Sequence, residues 1–192
     1  MLDTGRYGGR STMNISGSPA PQRTRHHRPP PLPAVPVHPD LGMVNPMFWW
    51  VGCHGGAGIS TLNRLTGIGY AYGPYWPAFP PNSRIWDVIL VCRGTAAGLW
   101  AATGAVDQWR NRSAPTHVRV QGIVVVAGSE KRPPKIVTER IQLLKGWVPN
   151  VWQVGWQEVF LSVDDPIDIG SPPPDVAALR QSIIELFQVP AR

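Results

Sequence analysis

Three runs of almost unbroken apolar residues dominate the chain: the aromatic Phe48–Gly52, then Ile85–Cys92, then Val118–Ala127, the most β-branched of them. A strand with one face in water alternates apolar and polar residues, whereas these runs call for cover on both faces. Segments of helical period lie between and after them. Ser60–Leu65 opens one helix, with Ser60 and Thr61 as natural first-turn residues. Thr95–Arg112 sets Leu99, Ala102, Val106 and Trp109 on one face. Pro133–Lys145 turns Val137, Ile141 and Leu144 inward and stops at Gly146. Val151–Trp156 reads as a fourth short strand, and Asp175–Gln188 as a last helix entered through Pro172–Pro174. Doubly covered strands separated by amphipathic helices predict an α/β fold of three layers. The sheet is expected to be mostly parallel, Rossmann-like, with about four to five strands flanked by helices. The right-handed crossover rule places every strand-to-helix loop on one edge of that sheet, where ligands of open α/β sheets bind.

The 192 residues suffice for one such domain and a tail, and a hydrophobic content of 43 % allows a real core. Charged residues make up 16 %, with 22 Pro and 20 Gly unevenly spread, which excludes a coiled coil and a collagen-like repeat. No apolar run approaches the roughly 18 residues of a membrane span, and none marks a leader in the first 30 residues, so a cytoplasmic setting is expected. Cys53 and Cys92 alone make no disulfide framework. The net charge is +6, and half of it sits on residues 1–45, where five Arg face two Asp. That segment, with Pro29–Pro31, Pro33, Pro36 and Pro39, reads as a disordered or extended arm, and residues 46–192 as the folded domain. It is either a spacer or a proline-rich ligand for an aromatic groove. Its cluster Arg23, Arg25, His26, His27 and Arg28 suits weak, salt-dependent contact with nucleic acid.

The loop after the first strand is the most informative segment: Cys53-His54-Gly55-Gly56-Ala57-Gly58-Ile59-Ser60-Thr61. Glycines between a buried strand and a helix let backbone N–H groups approach an anion at the helix N-terminus. The segment resembles the deviant Walker A loop of MinD/ParA-type ATPases, G-K-G-G-x-G-K-[ST]-[ST]. Gly55, Gly56, Gly58, Ser60 and Thr61 match that pattern; Cys53 stands for the first Gly, His54 for the signature Lys and Ile59 for the phosphate-loop Lys. The chain from about Met47 to Phe187 is also similar to an actinobacterial group whose loops read G-x-H-G-G-A-G-[VI]-S-T-L, a resemblance that implies a P-loop NTPase-like fold more than an activity. In that family the loop lysine neutralises phosphate charge, which isoleucine cannot do. A Walker B carboxylate is expected at the end of a strand preceding Ile85–Cys92. Only residues 66–84 lie there, rich in Gly, Pro, Tyr and Trp, so that strand is expected to be deleted; Val159–Asp165 looks like such a strand superficially but comes late in the chain, beside Pro166.

Substitute cations follow the later strands: Arg93 after the second, and Lys131, Arg132 and Lys135 after the third. Two readings of them stand, a surrogate phosphate site centred on Arg93 and ordinary solvated loop charge. His54 either meets phosphate, or a partner across a dimer, or holds the loop by a hydrogen bond. Cys53, His54 and Cys92 lie on the same edge but lack zinc-motif spacing. Gly67–Pro81 carries Tyr70, Tyr72, Tyr75, Trp76 and Phe79 and is expected to be an irregular interaction loop, or a cap on the sheet. Two functions follow. One is a non-hydrolysing accessory subunit of a larger assembly, with conjugation or secretion as its setting and a protein partner or a second copy bound to it. The other is a nucleotide-binding switch or slow ATPase, with ATP or GTP as ligand, Arg93 for the lysine and Ser60 on Mg²⁺.

Overall fold

The computed structural model describes residues 29–42 and 45–188. Its elements run β1 (Ala34–Pro36), α1 (Pro39–Gly42), β2 (Trp49–Gly52), α2 (Ile59–Thr66), β3 (Tyr70–Gly73), β4 (Trp76–Ala78), β5 (Trp86–Gly94), α3 (Ala96–Arg110), β6 (Val118–Ala127), α4 (Lys135–Lys145), β7 (Val151–Val154) and α5 (Pro174–Gln188). The fold is α/β. Five strands form one sheet in the order β3-β2-β5-β6-β7, and every neighbouring pair is parallel. Among the described residues no helix is long and apolar enough to cross a membrane.

The continuous runs have the double cover that their composition demands. Trp49, Val51, Val88, Leu90, Ile123 and Val125 face one layer, filled by Leu99, Ala102 and Val106 of α3 and Val137, Ile141 and Leu144 of α4. Phe48, Trp50, Ile89, Val91 and Val124 face the other, against Leu62 of α2 and Val176, Leu179 and Ile183 of α5. One bulge keeps this sorting intact along β6. Val88 pairs with Val120 but Ile89 with Gly122, so Gln121 is the extra residue. Without it Ile123 would fall on the wrong face.

Gly67–Pro81 is not irregular. It supplies β3 on the edge of the main sheet and β4, the latter paired with β1 in a separate two-stranded ribbon. Its aromatic residues surround Trp49, whose ring meets Tyr70 at 5.0 Å, Tyr72 at 5.5 Å, Phe79 at 5.4 Å and Trp86 at 5.9 Å, with Trp49 and Trp86 inclined at 88°. Trp76 is fully buried. Tyr75 packs edge-on to Tyr72 at 5.6 Å. A strand therefore occupies the interval expected to be deleted, although Gly73 ends it with no carboxylate.

Residues 29–42 likewise do not stand apart as an arm. Leu32 and Val37 are buried in the α3-side core, and β1 lies in register on β4. The basic cluster from Arg23 to Arg28 lies outside the described residues.

Candidate functional site

The carboxyl ends of β2, β5, β6 and β7 carry the loops, and the β2–α2 loop is built from its glycines outward. Gly56 and Gly58 adopt φ of +72° and +102°, a region costly for residues with a Cβ. Gly58 is the N-cap of α2, without a capping side chain. The first helical bond runs from the Leu62 N–H to the Gly58 carbonyl (2.9 Å). The N–H groups of Ile59, Ser60 and Thr61 thus precede the ladder and have no partner within the helix. Ile59 packs against the α2-side core. The position that carries the phosphate lysine in the resembled family is here given to packing.

His54 is tied on both nitrogens. Its Nε2 accepts the Arg93 backbone N–H at 3.1 Å, and its Nδ1 donates to the Gly55 carbonyl at 2.8 Å. These two bonds lock the loop to the end of β5. Gly98, in the first turn of α3, makes room for this arrangement. A Cβ there would lie 3.1 Å from His54 Nε2 and overlap the Arg93 carbonyl oxygen. The N-cap Thr95 holds that turn by accepting the Gly98 N–H at 3.0 Å. Nothing in the sequence marks Gly98 as a site residue except its place inside an otherwise ordinary helix.

The Arg93 side chain crosses the same edge. Its Nε donates to the Gly56 carbonyl and its Nη1 to the Ala127 carbonyl, both at 3.3 Å. Arg93 therefore links the β2 loop to the end of β6 while still lining two clefts. One, of about 490 Å³, lies over the loop and is lined by residues 54–61, 71–74 and Arg93, with no Asp or Glu among them. The other, of about 350 Å³, shares Gly58, Thr61 and Arg93 and continues over Val126, Val154, Trp156, Phe160 and Asp164. A third, of about 400 Å³, shares Ala127, Val154 and Gly155 with the second and carries Lys131. Together they form a trough along the carboxyl edge. Asp175, in the first turn of α5, anchors the segment after β7, accepting the Gly155 N–H at 2.6 Å and bonds from the Gln157 amide at 2.8 and 2.9 Å.

Of the sequence-derived candidates, His54, Gly55, Gly56, Gly58, Ser60, Thr61 and Arg93 come together in the first cleft. Lys131 lines the third cleft instead, and the exposed Arg132 lines none of the three. Lys135 pairs with Glu139 along α4 at 3.6 Å. The aromatic set is not a free interaction loop: Tyr70, Tyr72 and Phe79 pack on the core and Trp76 lies within it. Val159–Asp165, superficially like a Walker B strand in the sequence, forms no strand. Glu158–Leu161 forms a 3-10 turn and Asp165 is ion-paired with Arg64 of α2.

Cys53 and Cys92 adjoin one another, since the Cys53 N–H donates to the Val91 carbonyl at 2.8 Å just beyond the paired part of β2. Burial, with Cys92 beside it, pushes the Cys53 thiol well up; burial pushes Cys92 up to about 12. Both are protonated at neutral pH, the wrong state for a nucleophile. Among the described residues no three His, Cys, Asp or Glu side chains gather as a metal-holding group. Comparison of the chain with protein-family models, with curated proteins and with solved structures finds no match in any of the three.

Proposed function

We propose that this chain is a P-loop-like domain that binds without hydrolysing: an accessory subunit that receives a phosphate group over the β2–α2 loop and acts through the contacts it makes in an assembly. One observation carries the reading. The 490 Å³ loop cleft combines open first-turn N–H groups of α2 with the Arg93 guanidinium and has no carboxylate in its lining. Such a lining favours an anion. It offers a Mg²⁺ ion little beyond the Ser60 and Thr61 hydroxyls, whereas that ion favours carboxylate oxygens together with phosphate. Phosphate fits the donor set, and a metal-assisted hydrolytic step does not. Gly55, Gly56, Gly58, Ser60 and Thr61 supply the main-chain edge, Arg93 the charge, and His54 holds the two together.

A thermal-shift titration of the full chain tests this, using ATP, GTP, their diphosphates and inorganic pyrophosphate, with and without Mg²⁺. A ligand at one hundred times its dissociation constant adds about 2.7 kcal/mol, which raises the midpoint of a domain this size by roughly 5–10 °C. The expected result is a saturable shift that does not require Mg²⁺, is lost in Arg93→Ala, and comes without phosphate release. No shift at millimolar nucleotide would remove the phosphate from the proposal. The second reading, a nucleotide switch or slow ATPase, draws on the reach of Arg93 to the Gly56 carbonyl. It predicts a Mg²⁺-dependent shift, with Ser60 on the ion, and measurable turnover.

A further inference from the structure

Two neighbouring clefts on the carboxyl edge differ in chemistry. The loop cleft offers glycine backbone, the Ser60 and Thr61 hydroxyls and the Arg93 guanidinium. The 350 Å³ cleft beside it is walled by Leu65, Val126, Val154, Trp156, Phe160 and Val163. Gly58, Thr61 and Arg93 line both, so a single ligand spans from one into the other. The apolar cleft is held firmly. Val154 of β7 and Val176 of α5 belong to the α2-side core. The segment 155–166 forms another wall and is tied at both ends. Asp175 accepts the Gly155 N–H at 2.6 Å, and Asp165 is ion-paired with Arg64 of α2.

The polar side chains of this second cleft are few. Thr61 and Arg93 stand at the boundary with the loop cleft, Gln157 gives its amide to Asp175 at 2.8 and 2.9 Å, and Asp164 is exposed. A sugar or a base placed there would exchange water for a poorly matched lining, which costs free energy for every polar group left unpaired. Trp156 and Phe160 are half-buried and, unlike the rings around Trp49, pair with no other aromatic ring among the described residues. The apolar lining also continues past the mouth: Leu161 lines the cleft and is 71 % exposed, and nearby Val159 is 40 % exposed. Hydrocarbon that leaves the cleft therefore still meets apolar surface.

We infer that the ligand of this trough is a phosphate or diphosphate ester of an apolar, non-nucleoside group, with its charge over the β2–α2 loop beside Arg93 and its hydrocarbon in the adjoining cleft against Trp156 and Phe160. The inference rests on the phosphate reading of the loop cleft and names what the phosphate is attached to. Arg93 faces both parts, so it sits at the ester oxygen where charge gives way to hydrocarbon. The division matches a pocket that is mostly apolar with a few polar groups fixing orientation.

Calorimetric titration of the full-length chain without Mg²⁺ tests it with four probes: inorganic pyrophosphate, ADP, geranyl diphosphate and geraniol. The first three share a diphosphate and differ in what it carries. Geranyl diphosphate is expected to bind one per chain and at least ~10-fold tighter than pyrophosphate, through the apolar surface it removes from water. ADP is expected to bind no tighter than pyrophosphate, and geraniol more weakly than its diphosphate. Trp156→Ala/Phe160→Ala should bring geranyl diphosphate down to the affinity of pyrophosphate and leave pyrophosphate itself unchanged. Arg93→Ala should weaken both. Geranyl diphosphate binding no tighter than pyrophosphate, or ADP binding tighter than either, overturns the inference and leaves the phosphate reading standing. Geraniol binding as tightly as its diphosphate overturns it too. No binding by pyrophosphate or by either ester removes the phosphate reading, and the inference with it. Should the double variant fail to fold, the four probes on the unmodified chain decide.

Discussion

At Gly58 the backbone turns with φ +102°, and a Cβ would make only ordinary contact with Val126 Cγ2 at 3.9 Å, whereas a Cβ on Gly55 meets nothing within 4 Å and needs no left-handed backbone. Gly58→Ala therefore loses about 1–2 kcal/mol to strain, while Gly55→Ala stays within about 0.5 kcal/mol of the parent; thermal melts of both give the comparison. If phosphate approaches the loop backbone, Gly55→Ala weakens binding without a matching loss of stability. Gly98→Ala behaves differently, because its methyl group meets the Arg93 carbonyl and the His54 ring rather than a forbidden dihedral. Overpacking of this kind costs about 1–3 kcal/mol, and the same variant should loosen the His54 and Arg93 contacts, which imidazole NMR shifts would register. The loop glycines were legible in the sequence because a strand-to-helix turn requires them. Gly98 was not, since its role depends on neighbours far away in the chain. Cys92 adds a pH dependence. Burial moves its thiol from 9.0 to about 12, so the folded state keeps the proton longer than the unfolded chain does. Its contribution is complete below about pH 9 and is lost as pH rises towards 12. Chemical unfolding at several alkaline pH values should therefore fall less steeply for Cys92→Ala than for the parent.

Elements that combine length with strong apolar character were readable before any coordinates, and β5, α3, β6, α4 and α5 all fall close to their expected limits. The short ones were hidden for physical reasons. β3 has four residues between Gly69 and Pro74, and β1 and β4 have three residues each and contain proline. Such segments hold no periodicity and owe their shape to partners: the Tyr70 N–H to the Phe48 carbonyl at 3.0 Å, and β1 to β4. The bulge in β6 was equally invisible, although it controls which residues face which layer. A Cβ on Gly122 would lie 2.5 Å from the Trp152 ring and 2.6 Å from the Asn150 carbonyl. Gly122→Val should then push β7 away from β6 and destabilise the domain by about 1–3 kcal/mol. Amide exchange should locate that loss in Val151–Val154 before it reaches β5.

The whole molecule divides its labour between regions that the sequence treats alike. Its carboxyl edge holds three adjoining clefts, two of them lined by Arg93, and β4 holds residues 34–36 in the β1–β4 ribbon. What joins them is the sheet, and above all the aromatic cage around Trp49, whose Tyr70, Tyr72 and Phe79 come from a segment that reads in the sequence as an interaction loop or a cap on the sheet. Composition could not reveal that Tyr70, Tyr72 and Phe79 turn inward, because glycine- and proline-rich aromatic segments are equally at home on a surface. The cage also has an optical consequence. Indoles 5.9 Å apart in one fixed, non-superimposable pose share their excitation instead of absorbing independently. The domain should show a bisignate ultraviolet dichroism couplet that vanishes in Trp86→Phe. Its amplitude would make the fit of the β3–β4 segment over the sheet readable in solution, without any label.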